Sequence, residues 1–98
     1  MNEDYKYHLK PTSIFKKVVK RIIKRGYNLD LLDEVVITLA KGESLDSKYH
    51  DHALLGGDYK DCRECHIEPD WLLIYKKSEE TLFLYQMRTG THADLLSE

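Results

Sequence analysis

Three runs of β-forming residues in the second half of the chain, joined by short polar connections, place the strongest constraint on the fold. The runs are YKDCRECHI (59–67), WLLIYKK (71–77) and TLFLYQMRT (81–89), and three residues separate each run from the next. Connections this short join neighbouring antiparallel strands as hairpins. We therefore predict three consecutive antiparallel strands, and the alternating run YKYHL (5–9) predicts a further strand near the N-terminus.

Two segments with the helical spacing of apolar residues come between these strand regions. The first begins after Pro11-Thr12-Ser13 and ends at Gly26, and the second is capped by Asn28 or Asp30 and ends near Gly42. The short link between them predicts an antiparallel helical hairpin. The apolar set of the first helix is Ile14, Phe15, Val18, Val19, Ile22 and Ile23.

The resulting order β-α-α-β-β-β predicts an α+β fold, in which the helical hairpin covers one face of a largely antiparallel, twisted sheet. Residues 43–58 are polar and predict a loop, and a short C-terminal helix is expected from Ala93. The length of 98 residues and the apolar fraction of 42% are enough for one domain, 1–98, and not for two.

The sequence shows no sign of a membrane or export segment. No run approaches the ~18 apolar residues that a spanning helix needs, and the charged start MNEDYKYHLK lacks the apolar segment of a signal peptide. We therefore expect a cytoplasmic protein with reduced thiols and no membrane partner.

Positive charge is concentrated near the N-terminus. Residues 1–25 hold eight Lys and Arg against two acidic residues, whereas residues 26–98 hold seven against fifteen. A basic surface favours contact with a polyanion, and a solvated helix face is the alternative explanation. Two adjacent i,i+4 rows on the first helix, here called the basic stripe, are Lys16, Lys20 and Lys24, and Lys17, Arg21 and Arg25.

The segment CRECH (62–66) matches the C-x-x-C-H signature of c-type haem and offers three possible zinc ligands. Side chains alternate between the two faces of a strand, so Cys62 and Cys65 are expected to point in opposite directions. We therefore predict no metal, no haem and no disulfide, with both cysteines packed in the sheet. The same alternation places Glu64 and His66 on the face of Cys62.

Two blocks of the sequence form a longer ordered pattern. They are DHALLGGDYKDCRECHIEPDWLLIYK (51–76) and RTGTHADLL (88–96). They contain D-H-x-L-x-G, then R-x-x-H-x-x-P-D-W-x-L-I-Y, then R-T-G-T-H. This pattern closely resembles the YafQ branch of the RelE/ParE superfamily, the toxins of bacterial type II toxin–antitoxin pairs. Together with the element order, the resemblance covers nearly the whole chain and implies a RelE-like fold.

The resemblance implies a metal-independent endoribonuclease without a cofactor, which cuts mRNA on the ribosome and is neutralised by a cognate antitoxin. It places His52, His66, Asp70 and His92 on the catalytic positions of the family. Cleavage by the ribose 2′-OH needs a base and an acid, and histidine suits both tasks because it titrates near neutrality. We expect Asp70 or His66 as the base and His92 or His52 as the acid.

The resemblance also implies residues that contact RNA. Trp71 and Arg88 match positions in or near the active surface, Arg88 as a forked phosphate donor and Trp71 as a stacking ring. Apart from the resemblance, Lys60 is a further candidate for RNA contact, and a solvated strand charge is the alternative. Leu96 occupies the position of an aromatic residue in other members and offers only apolar contact. The basic stripe is expected to contact ribosomal RNA or the antitoxin.

Several of these residues also have a purely structural explanation. Without the family resemblance, a core position is favoured for Trp71. Asp70 can cap its turn, and Arg88 can pair with an acid across the sheet. His8 and His50 match no motif position and are expected on the surface. Two other functions stay open: a ParE-like inhibitor of DNA gyrase, which the histidine set argues against, and a degenerate module that only binds antitoxin.

Overall fold

The computed structural model describes residues 5–96, apart from the side chain of Leu96, and shows the predicted α+β fold. A mixed five-stranded sheet has the order β1-β5-β4-β3-β2. Its strands are β1 (His8–Pro11), β2 (His52–Ala53), β3 (Arg63–Glu68), β4 (Trp71–Ser78) and β5 (Phe83–Gly90). The helices are α1 (Ser13–Lys24), α2 (Leu29–Ala40) and α3 (His92–Leu96). None of these helices is long and apolar enough to cross a membrane.

The pairing of the strands is antiparallel from β2 to β5, as predicted for the last three strands. The N-terminal strand differs from its prediction. It covers His8–Pro11 rather than residues 5–9, and it runs parallel to β5. The backbone N–H groups of Lys6 and Tyr7 both donate to the carbonyl of Ala40, so the end of α2 bends the chain before the strand begins.

Side-chain caps set the beginnings of α1 and α2. The hydroxyl of Thr12 accepts a hydrogen bond from the Phe15 N–H at 3.1 Å and donates to the carbonyl of Met87 at 2.8 Å. The side chain of Asn28, rather than that of Asp30, caps α2 by accepting from the Asp30 N–H at 3.0 Å. These bonds satisfy N–H groups that have no partner within a helix, and the bond to Met87 also ties α1 to the sheet.

The two long helices pack on one face of the sheet, α1 over β5 and α2 over β3. Only part of the predicted apolar set of α1 is buried there. Phe15, Val18 and Ile22 lie in the core, whereas Ile14 is 47% exposed and Ile23 is 51% exposed. The other face of the sheet is free of α1 and α2, and it carries the polar residues considered below.

The cysteines follow the predicted alternation in β3. Cys65 and Ile67 point into the core beneath the helices, while Glu64 and His66 are only partly buried. Cys62 lies immediately before the strand and is buried outside that core. Burial raises the pKa of Cys65 to about 12, so the thiol is protonated at neutral pH. Both cysteines are free thiols.

Candidate active site

The candidate site lies where the β3–β4 hairpin turn meets the start of α3. Only Pro69 and Asp70 separate β3 from β4, and the strand register brings His66 opposite Leu72 and Leu72 opposite Gly90. His92 lies two residues after Gly90, so the cross-strand row of His66, Leu72 and Gly90 ends next to His92. A β-bulge between His66 and Glu68 adds local twist at this point.

A capping box fixes the start of α3. The Thr91 hydroxyl accepts from the Asp94 N–H at 3.1 Å, and the Asp94 carboxylate accepts from the Thr91 N–H at 3.0 Å. Gly90 has a φ of +147°, and a Cβ there would lie 3.0 Å from the Cβ of Asp94. The R-T-G-T-H segment therefore needs glycine at this position, and the cap holds His92 in the first turn of the helix.

Asp70 and His92 form a closely bonded pair. The Asp70 Oδ1 atom lies 2.6 Å from the His92 Nδ1 atom and also accepts the backbone N–H of His92 at 3.0 Å. These bonds, first the backbone N–H and then the ring, hold the pKa of Asp70 below its ordinary value. Asp70 is therefore a carboxylate at neutral pH. When Nδ1 donates to it, the Nε2 atom of His92 is left available for another partner.

His66 lies at the centre of the site. Its ring centroid is 5.8 Å from that of His92 and 6.4 Å from that of His52. The His66 Nδ1 atom lies 3.4 Å from the carbonyl oxygen of Pro69, which directs this nitrogen toward the hairpin turn. The structure thus brings together all four of the residues predicted as catalytic, Asp70 included, and their roles in catalysis stay predictions.

His52 is held by two oxygen atoms. It lies in β2, a short strand inside the segment predicted as a loop, and it pairs with Glu64 of β3. Its Nδ1 atom is 2.8 Å from the carbonyl oxygen of His50, and its Nε2 atom is 3.3 Å from Glu64 Oε1. A protonated imidazole satisfies both acceptors at once, because it carries two N–H donors.

His50 is the member of this site that the motif pattern does not indicate. It is exposed, as predicted, but its ring centroid lies 5.7 Å from that of His66 in an edge-to-face arrangement. Its backbone adopts the left-handed conformation, with a φ of 49°, which ends a short 3₁₀ turn over Ser47–Tyr49. The one sequence signal for His50 is its spacing from His52, because residues two apart in a strand point to the same face.

The chain is similar in sequence and in fold to proteins of one known family. The family model described as a bacterial toxin of type II toxin–antitoxin system, YafQ, matches residues 7–97. The chain belongs to the YafQ toxin family. The mRNA interferase toxin YafQ of Escherichia coli K12 is 39% identical over 82 residues, covering 83% of this chain and 86% of that protein.

Solved structures of similar toxins agree in fold. YafQ in the E. coli DinJ–YafQ toxin–antitoxin complex superposes with a TM-score of 0.82 at 35% identity, covering 92% of this chain and 97% of that one. A metal-bound toxin from Helicobacter pylori gives 0.84 at 39% identity, covering 91% and 98%. Within residues 5–96, no three His, Cys, Asp or Glu side chains form a group suited to a metal. Metal independence of this YafQ-family chain stays a prediction.

Two residues predicted to contact RNA are buried. Trp71 is 1% exposed in the core beneath the helices, where its ring meets Tyr27 edge to face at 4.9 Å. Its Nε1–H donates to the Thr89 hydroxyl at 3.0 Å. The structure gives Trp71 a packing role, and direct stacking on RNA stays a prediction. Arg88 is 4% exposed and lies on the site's face opposite Ile74.

The remaining predicted contacts lie outside the histidine group. Lys60 is exposed immediately after a 3₁₀ turn over Gly57–Tyr59. Leu96 is the last residue of α3, and its side chain lies outside the described part of the chain. All six residues of the basic stripe are exposed on α1 and its C-cap. Arg25 Nη1 lies 3.2 Å from Asp94 Oδ2, which brings the end of the stripe next to α3.

Proposed function

We propose that this YafQ-family toxin is an mRNA interferase: a ribosome-dependent, metal-independent endoribonuclease that uses the ribose 2′-OH as its nucleophile. The observation that carries the proposal is the Asp70–His92 pair, bonded at 2.6 Å, beside the His66 ring at 5.8 Å. The E. coli relative that is named an mRNA interferase supports the substrate class. The family match favours this activity over gyrase inhibition.

His66 is proposed as the general base and His92 as the general acid. Asp70 is a poor base because its pKa is lowered, and its bonds to His92 suit it to orient that ring. A carboxylate at Nδ1 also stabilises the protonated imidazole, which can then deliver its Nε2 proton to the leaving 5′-oxygen. The His66 ring neighbours that of His92, and it accepts the proton of the 2′-OH.

Positive charge supports the transition state. The His52 ring lies beside the proposed acid–base pair, between the His50 carbonyl and Glu64. Arg88 lies on the same face, and its Nη1 donates to the Tyr59 hydroxyl at 3.4 Å. Fixed cations favour the extra negative charge that develops on the phosphorane. This supplies the electrostatic role that a metal ion performs in other nucleases.

The proposed partners are the ribosome with its mRNA and a cognate antitoxin, all in the cytoplasm. DinJ–YafQ complexes of the E. coli toxin support an antitoxin partner. The exposed basic stripe matches either the phosphates of ribosomal RNA or an acidic segment of an antitoxin. Its end at Arg25 touches Asp94 of α3, so a partner covering the stripe also comes close to His92.

The chemistry of the product ends tests the proposed reaction. Purified toxin, dialysed against a chelator, is added to a translation system programmed with one mRNA, and the fragments are analysed. Attack by the 2′-OH leaves a 5′-OH and a 2′,3′-cyclic phosphate, which water can open to a 3′-phosphate, whereas attack by water that expels the 3′-oxygen leaves a 5′-phosphate and a 3′-OH. We expect cyclic phosphate and 5′-OH ends, full activity of the chelator-treated protein and little cleavage of free RNA. Activity that returns only when a transition metal is added would overturn metal independence, and so would 5′-phosphate ends, because the Mg²⁺ of the translation system is present throughout.

The basic stripe gives a separate prediction. Lys17, Arg21 and Lys24 are exposed, so replacing all of them with Glu is expected to preserve the fold and weaken binding to ribosomes or antitoxin by roughly tenfold or more at low salt. The difference should shrink as salt rises, because salt screens exposed charges. Sedimentation with ribosomes and titration with antitoxin measure the two affinities.

The matched control compares two single charge reversals. Lys41→Glu lies just after α2, outside the stripe, whereas Arg21→Glu lies within it. Arg21→Glu alone should weaken one of the two interactions, and Lys41→Glu should weaken neither. Unchanged affinity of the triple variant for both partners would remove the stripe from the account of binding.

A further inference from the structure

A cavity of about 550 Å³ opens beside the candidate site, at the edge of the sheet. Within residues 5–96, β2 pairs with Arg63 and Glu64 alone, so the rest of this β3 edge has no strand partner. The 3₁₀ turn over Ser47–Tyr49 packs near this edge, and α2 forms the opposite wall. The cavity is lined by Leu31, Glu34, Lys48, Tyr49, His50, His66, Ile67, Glu68 and Pro69.

The lining combines apolar residues with exposed charged ones. Leu31, Ile67 and Pro69 provide aliphatic walls, and the partly buried ring of Tyr49 adds an aromatic one. The exposed charged residues of the lining are Glu34, Glu68 and Lys48. A planar heterocycle with polar edges and a nearby phosphate is complementary to this arrangement, since bases stack on aromatic rings and phosphates favour lysine.

The cavity is joined to the site through His66. The same side chain lines the cavity and lies 5.8 Å from the His92 ring, centroid to centroid. His50 also borders both, at 5.7 Å from His66. A nucleotide whose ribose is at His66 therefore has this cavity within reach of its own base or of the adjacent one.

We propose that this cavity is a base pocket, which binds one of the two nucleobases flanking the cleaved bond and prefers a base with an exocyclic amino group. The inference rests on the proposed endoribonuclease function and adds a determinant of its sequence preference. Glu34 provides the selectivity, because a carboxylate only accepts hydrogen bonds. It matches the exocyclic amino groups of adenine, cytosine and guanine, whereas uracil offers only its N3–H, which lies between two carbonyl oxygens that a carboxylate repels.

Glu34→Gln tests the selectivity without touching the core, because Glu34 is exposed on α2. An amide both donates and accepts hydrogen bonds, so it tolerates uracil. Cleavage is mapped on translated mRNAs that carry every base at the two flanking positions. We expect the preference for amino-bearing bases over uracil to fall by roughly fivefold at one of these positions. Asp33→Asn removes the same charge from the neighbouring residue, which does not line the cavity, and should keep the parent profile.

Tyr49→Ala tests the stacking wall. We expect cleavage efficiency to fall by at least about fivefold with a flattened base profile, in a protein shown by thermal melting to be folded. If the parent cuts mRNA and the base profiles of Glu34→Gln and Asp33→Asn are identical, the base pocket is overturned. The proposed function then still stands. A parent that cuts no mRNA on ribosomes overturns the proposed function and the base pocket with it.

Discussion

His92→Ala is expected to lower ribosome-dependent mRNA cleavage by roughly 10²- to 10⁴-fold, the usual contribution of a positioned acid or base. The reason is the loss of a ring whose Nδ1 is fixed by Asp70 and whose Nε2 is left to donate. His66→Ala should have an effect of similar size, and Asp70→Asn should cost at least about tenfold, because a neutral amide stabilises a protonated ring much less than a carboxylate does. Single-turnover cleavage on stalled ribosomes measures each loss.

Combined variants separate a concerted unit from independent contributions. If Asp70 acts only through His92, the double variant Asp70→Asn, His92→Ala should be little worse than His92→Ala alone. The fold should survive, because both side chains are exposed. His8→Ala is the histidine control, since His8 is exposed near Phe83 and away from the site. Cleavage by His92→Ala at the rate of the parent would contradict the assignment.

Trp71→Ala is expected to lower the free energy of unfolding by about 3–5 kcal/mol, the usual cost of removing a buried aromatic side chain. Trp71 is 1% exposed and contacts Tyr27. It also bonds the Thr89 hydroxyl, which in turn donates to the Leu72 carbonyl at 2.6 Å. Removal of the indole leaves a cavity and breaks the hydrogen-bond chain that runs from Trp71 through Thr89 to the Leu72 carbonyl. Urea denaturation followed by circular dichroism gives the change.

Trp71→Phe separates the ring from its N–H group and should cost less than Trp71→Ala, because much of the packing volume stays. The pair also distinguishes a core residue from one that touches RNA. If the free energy of unfolding of Trp71→Ala lies within about 1 kcal/mol of the parent's and cleavage is nevertheless lost, Trp71 acts on the substrate. A large loss of stability, with cleavage by the folded fraction retained, supports the packing role.

Local signals predicted much of the fold. Thr12 and Asn28 cap α1 and α2, and Gly26 follows α1 with a φ of +86°. The two-residue turn at Pro69-Asp70 joins antiparallel strands, as short connections require. Each of these features depends on residues within a few positions of one another. That is why a pattern in the chain is enough to locate them.

Long-range pairing accounts for the errors. β1 was predicted at 5–9 and forms at His8–Pro11, because its position is set by a parallel partner, β5, more than seventy residues away. β2 was predicted as loop and forms only through His52 and Ala53 pairing with β3. A strand this short has no periodicity of its own, so only its partner identifies it.

For the candidate site, the sequence by itself determined which residues are predicted to carry the chemistry: His52, His66, Asp70 and His92 stand in an ordered motif. Only the tertiary structure decided how they meet. It bonds Asp70 to His92, adds His50, and turns Trp71 into the core. It also forms the cavity between α2 and β3. The physical reason is that a bond between side chains depends on the register of strands and the packing of helices, which join segments far apart in the chain.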